Sequence, residues 1–172
     1  MTLDARAAAV IAVALAACIW DLRTRRIPNA LTFGAAAAAL IFSLVQGGLA
    51  GLGWSAAGWL TAAVVFFPVF ALRGMGAGDV KLLAALGAWV GGPNVLHLAV
   101  YTGLAGGAMA IVIIVWRGCV RETFWNLWLM LNVWRTMGFR PVPGLTLETS
   151  RGPRLAYAVP IAAGALTTLW LR

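Results

Sequence analysis

Apolar residues run through this chain in stretches longer and greasier than one buried face of a soluble helix requires. Six such segments lie at about 7–20, 30–45, 54–72, 80–90, 95–116 and 155–171. A helix needs about 17–25 mostly apolar residues to cross a bilayer. Inside hydrocarbon every backbone polar group must find a partner, which helices achieve within one segment. The pattern therefore predicts an all-α fold, a polytopic membrane helix bundle of about six transmembrane helices. Residues 1–172 form a single integral-membrane domain in this reading. Segment 80–90 is short for a span, so it must borrow neighbours, tilt, or begin inside a cavity. Pro68 and Pro160 are expected to kink the third and sixth segments. Hydrophobic residues make up 62% of the chain, against about 45–50% in soluble domains.

Charge sets the orientation. There are 13 Lys and Arg against five acids, a net charge of +8. In a soluble protein such an excess would point to nucleic acid. This chain has no polar domain that could read bases, so nucleic acid is excluded and the lipid bilayer is the expected partner. Basic residues mark the cytoplasmic ends of membrane helices. Arg23, Arg25, Arg26, Arg73, Lys81, Arg117, Arg121, Arg135, Arg140, Arg151 and Arg154 fall on one side of an alternating path. Only Arg6 and Arg172 fall on the other. Both termini are then outside and three loops are cytoplasmic. The outer turns are "QGGLAGLG" and "GGPN".

The last cytoplasmic loop, 117–155, contains "RETFWNLWLMLNVWRTMGF". Phe124, Leu127, Trp128 and Leu131 have helical spacing there, beside Trp125 and Trp134. Two readings stand: an amphipathic helix lying in the membrane interface, or packing beneath the bundle. "RPVPGLTLETSRGPR" follows as an irregular loop. Gly87/Gly91 and Gly103/Gly107 have the spacing that lets membrane helices approach closely. Cys18 and Cys119 are single and distant, which suggests neither a disulfide framework nor a zinc site. "LAAC" at 15–18 resembles a lipoprotein cleavage box. The basic residues follow that apolar run instead of preceding it, the reverse of a secretory signal. His97 reads as structural.

Two acids stand apart. Asp21 closes the first segment in "CIWDLRTRRIPN", and Asp79 opens the fourth behind "RGMGAG". An ionisable group at membrane depth costs several kcal/mol, about 2.5–3.5 by insertion scales, and marks a functional site by default. Asp4 is terminal, and Glu122 and Glu148 sit in the polar loop. Two facing carboxylates share a proton, so one can act as base and the other as acid. That chemistry activates water and protonates a leaving amine. Gly76 and Gly78 would let backbone approach an extended substrate and adopt unusual φ. The plainer reading also stands: Asp21 pairs with Arg23, Arg25 or Lys81, and Asp79 caps the fourth helix.

These residues resemble the prepilin peptidases, polytopic aspartyl proteases of the bacterial inner membrane. The likeness rests on Asp21 with "RTRRIPN", on Gly-x-Gly-Asp at 76–79 with "VKLLAALGAWVG", and on the closing "YAVPIAAGAL". It covers about 10–170. It implies cleavage of the short basic leader from type IV pilin-like precursors, on the cytoplasmic side, before the hydrophobic pilin helix. Asp21 and Asp79 would be the catalytic pair. Gly76 and Gly78 would shape the loop, Lys81 would tune the pair or orient substrate, and Arg23, Pro28 and Asn29 would organise the first cytoplasmic loop. The partner would be a prepilin or pseudopilin helix, and no metal or organic cofactor is called for. Long members carry a cytoplasmic insertion with paired cysteines and also N-methylate the new pilin terminus. Here about ten residues join the first two segments, without CxxC. The chain looks like the short, peptidase-only form of Flp/Tad-type systems. Two rival readings remain: a small transporter or ion relay using Asp21 and Asp79, and a non-catalytic pilus-assembly subunit.

Overall fold

A computed structural model describes residues 4–140, 142, 144–145 and 156–171. They form six helices: α1 (Ala5–Thr24), α2 (Asn29–Ala71), α3 (Ala77–Val90), α4 (Asn94–Trp116), α5 (Val120–Met137) and α6 (Ala158–Trp170). Much of the expected irregular loop, with Glu148, Arg151 and Arg154, lies outside the described residues.

Helix α2 has 43 residues. Run straight, it would reach about 64 Å, twice the thickness of a hydrocarbon core. It does not run straight. Gly48 has φ 58° and ψ −149°, outside the helical region. The chain folds back there: a Cβ on Gly51 would strike the Ser43 carbonyl oxygen. Further along, Trp59 and Ala63 share a crevice with Thr32 and Phe33. The two limbs are the predicted segments 30–45 and 54–72, joined by a glycine hinge instead of an eight-residue turn. Neither proline makes such a break. Pro68 keeps helical backbone near the end of α2. Pro160 sits in the first turn of α6, where its ring meets no preceding turn.

Helix α3 explains the short fourth segment. Its 14 residues span about 21 Å, and every residue from Leu82 to Val90 is buried. It is wrapped by α2 and touched by α1, α4 and α6. Leu82, Leu83 and Leu86 pack with Val10, Val95, Leu98 and Ile161 to form the core. The helix lies inside protein, so lipid thickness does not set its length. Around it the bundle turns apolar side chains outward, among them Leu15, Ile41, Leu60, Val64, Leu104 and Val112. Helices α1, α2 and α4 are each long and apolar enough to cross a membrane, and α6 is a shorter apolar helix. The protein is a helical membrane bundle.

Small residues bring the helices together. Gly87 meets Gly58 backbone to backbone, and Gly106 and Gly164 of the α4–α6 contact face Tyr157 and Thr102. Gly103 and Gly107 face open space, so that spaced pair is not a helix contact. Hydrogen bonds add to the α2–α3 seam: Ser55 Oγ donates to the Ala88 carbonyl at 2.9 Å and Trp89 Nε1 to the Ala35 carbonyl at 3.0 Å. Helix α5 stands off from this assembly. Among the described residues it buries none of its side chains, and α4 is the one helix it touches.

Candidate active site

Helix α1 stops just after Asp21. Arg25 turns left-handed, with φ 54° and ψ 28°, and its N–H returns to the Asp21 carbonyl at 2.8 Å. Pro28 then holds extended backbone at the start of α2. Only residues 25–28 separate the two helices. Asp21 is 6% exposed. Its Oδ2 accepts the backbone N–H of Ala158, at the start of α6, at 3.2 Å. Cys18, one turn earlier, donates its thiol to the carbonyl of that same residue at 3.2 Å. Residue 158 is thus gripped at both polar groups by one face of α1. A carboxylate at a helix N-terminus is also favoured by the dipole.

Asp79 is the third residue of α3, and Gly76 is the cap. The expectation that Asp79 itself caps the helix is corrected by three positions: the cap is Gly76. Its carboxylate reaches back to the Gly76 N–H, the return half of a capping box. A Cβ on Gly76 would lie 3.0 Å from Asp79 Oδ2, so any larger residue there would press on the carboxylate. Gly78 faces Ile27, where a Cβ would stand 3.4 Å from the Ile27 Cβ. Gly76 has an ordinary φ of −73°, and neither glycine has positive φ. The expected unusual backbone is absent at both; what distinguishes Gly76 is its closeness to the Asp79 carboxylate.

The Asp79 carboxylate feels the charge of Asp21, and the Tyr157 hydroxyl feels that of Asp79. Tyr157 immediately precedes α6, and its hydroxyl packs on Gly106 of α4. Helices α1, α3, α4 and α6 therefore converge on one end of the bundle. Asp21 is buried and Asp79 half-buried.

The other predicted residues have contacts of their own. Arg23 is exposed just beyond Asp21. Lys81 donates to Asn29 Oδ1 at 2.9 Å, and its ammonium sits 5.2 Å from the centre of the Phe33 ring. It fastens the start of α2 to α3, and the alternative of an ion pair with Asp21 is replaced by this contact. Pro28 sets the entry to the same helix. Ala158, Tyr157 and Cys18 were not expected at the site. A backbone N–H leaves no mark in a sequence, and "YAVPIAAGAL" pointed to the helix without pointing to its role. His97 stacks on Tyr101, one turn along α4.

Residues 8–111 match the model of the type IV leader peptidase family. That range contains both aspartates and the Gly-x-Gly-Asp turn. The chain belongs to the type IV leader peptidase family. It is similar to the prepilin leader peptidase/N-methyltransferase of Aeromonas hydrophila, 34% identical over 104 residues, covering 56% of this chain and 36% of that protein. The protein of the same name from Dickeya chrysanthemi is 38% identical over 106 residues, covering 55% of this chain and 36% of the relative. In Burkholderia pseudomallei the likeness is 44% over 50 residues, 29% of this chain and 16% of the relative. The matched region spans 36% of the length of the Aeromonas and Dickeya proteins and 16% of the Burkholderia one. No solved structure matches the chain.

Proposed function

We propose that this chain is an aspartyl endopeptidase of the bacterial inner membrane that removes the leader of type IV pilin-like precursors, of the Flp type, at the cytoplasmic face. The observation that carries the reading is the electrostatic coupling of Asp21 and Asp79, two carboxylates on separate helices of a membrane bundle. Arg23, Arg25, Arg26, Arg73 and Lys81 flank the two aspartates along the chain, the charge that favours the cytoplasmic side.

The reaction needs one ionised and one protonated carboxylate. The ionised group takes a proton from water as the water attacks the scissile carbonyl. The protonated group supplies the hydrogen bond to the carbonyl oxygen, and a proton then passes to the leaving amine. Asp21 is fixed by Ala158 and Asp79 by Gly76, so the pair is oriented before substrate arrives. A pilin helix would dock from the side and unwind beside the loop 74–79. Crosslinks from a substrate leader should therefore land on that loop, and crosslinks to the outer turns at Gly48 or Gly92 would contradict this route.

Detergent-solubilised protein incubated with a cognate Flp-type prepilin should release the leader, read as a mass loss. Failure by a folded sample would refute the peptidase. The relatives are named for a second activity, N-methylation. With only residues 25–28 between α1 and α2, we assign this chain the peptidase reaction alone. The mature pilin should accordingly leave this reaction with an unmodified terminus when S-adenosylmethionine is supplied.

Two further outcomes follow from the contacts. Gly76→Ala should lower kcat about ten- to a hundredfold with little change in KM, because the methyl displaces the Asp79 carboxylate while the apolar contacts of α3 remain. Lys81→Met should lower activity less, about three- to tenfold, since it loosens α2 from α3 without removing a reacting group. A Lys81→Met loss as deep as that of an aspartate variant would instead put Lys81 in the chemistry.

A further inference from the structure

Helix α4 ends at Trp116, and Gly118, with φ 68°, turns the chain into α5. The corner between them encloses an open cavity of about 1100 Å³. Arg117 and Arg121 line it together with Phe124, Trp125 and Trp128. Trp125 and Trp128 stack, with ring centres 5.2 Å apart. Phe124, Leu127 and Leu131 continue the exposed apolar surface along α5. Glu122 is the one acid at the corner among its lining residues.

From this placement we propose that the α4–α5 corner is a binding site for an anionic phospholipid. The two guanidiniums take the headgroup phosphate and the stacked tryptophans take the upper acyl chain. Three observations favour lipid over other occupants. The corner stands at the end of a helix long and apolar enough to cross the bilayer, which is headgroup depth. The cavity joins two cations to an aromatic wall, complementary to a phosphate with a hydrocarbon tail. Helix α5 buries none of its residues in protein, so its apolar face is available to the interface. The site is separate from the carboxylate pair and does not rest on the proposed reaction. Its occupation would hold α5 flat against the bilayer and so fix the angle at which the last loop leaves the membrane.

The test is native mass spectrometry of the full chain in micelles doped with equal phosphatidylglycerol and phosphatidylcholine. Wild-type protein should retain phosphatidylglycerol in preference. The double variant Arg117→Gln/Arg121→Gln should lose that preference by about thirtyfold, the usual worth of two basic side chains at an anionic surface. Arg117→Lys/Arg121→Lys should keep most of it. Equal retention by wild type and the Gln pair overturns the proposal. So does an equal loss in the Lys pair, which would trace the effect to packing. Full displacement of the lipid by inorganic phosphate would identify a free-anion site and also overturn it. A photocrosslinker at position 125 should label lipid; capture of a pilin or of a second copy of this chain would mean a protein dock. Each variant is compared by thermal melting, so that loss of binding is read only from folded protein.

Discussion

Asp79→Asn and Asp21→Asn should each abolish leader cleavage, by about a thousandfold or more, while the protein inserts and melts as the wild type does. Removing a proton-transfer group commonly costs about 10²–10⁴ in rate, and groups that act as a unit fail together. Asparagine keeps the shape of aspartate and an acceptor oxygen. At Asp79 that oxygen can still take the Gly76 N–H, and at Asp21 the Ala158 N–H. What is lost is the exchangeable carboxyl proton. The double variant should be no worse than either single one, because either loss already breaks the shared-proton pair. Mass spectrometry of the pilin reads the cleavage. Full activity in either single variant would sink the dyad and return weight to helix-end ion pairing. Proton or solute flux that depends on Asp79, with no peptide cut, would favour the ion relay.

The membrane bundle was legible because hydropathy records it directly. Length and charge announced α1, α4 and both limbs of α2. The site was legible for a related reason: in a chain with five acids, two at helix ends stand out. Less could be read where geometry depends on who packs against whom. "QGGLAGLG" gave a turn, but not that Gly48 alone would make it. "VKLLAALGAWV" looked too short to span, but periodicity cannot say that a helix is enclosed by others on all sides. Glycine spacing was an even weaker guide. Gly87 lies at a real seam, Gly103 and Gly107 face open space, and the close contacts of α4 and α6 fall at Gly106 and Gly164. Gly76 was noticed for backbone freedom, whereas its use is room for a carboxylate. Ala158 holds Asp21 through its N–H, a group every residue but proline owns, so no residue identity could reveal it.

The second large effect concerns that seam. Gly58→Leu or Gly87→Leu should destroy the fold, where Gly103→Leu should be nearly silent. At Gly87 even a methyl would stand 2.6 Å from the Gly58 carbonyl oxygen and 2.8 Å from Ala62 Cβ. At Gly58 it would overlap the Gly87 carbonyl. The obstructing atoms are backbone, so no side chain can rotate away. The helices must move apart, and the Ser55 and Trp89 hydrogen bonds across the same seam would stretch with them. Overpacking alone costs about 1–3 kcal/mol, sometimes more, and each broken buried hydrogen bond adds about 1–3. Together these approach the whole stability of a typical domain, about 5–15 kcal/mol. The expected result is aggregation or a large fall in melting temperature for either seam variant in detergent. Because α3 carries Asp79 at its first turn, milder changes should separate position from stability. Gly87→Ala should melt lower and also cleave more slowly below its melting point, since a displaced α3 carries its carboxylate away from Asp21. Gly87→Ala with unchanged cleavage and an unchanged melting point would mean that α2 and α3 are not seated this closely.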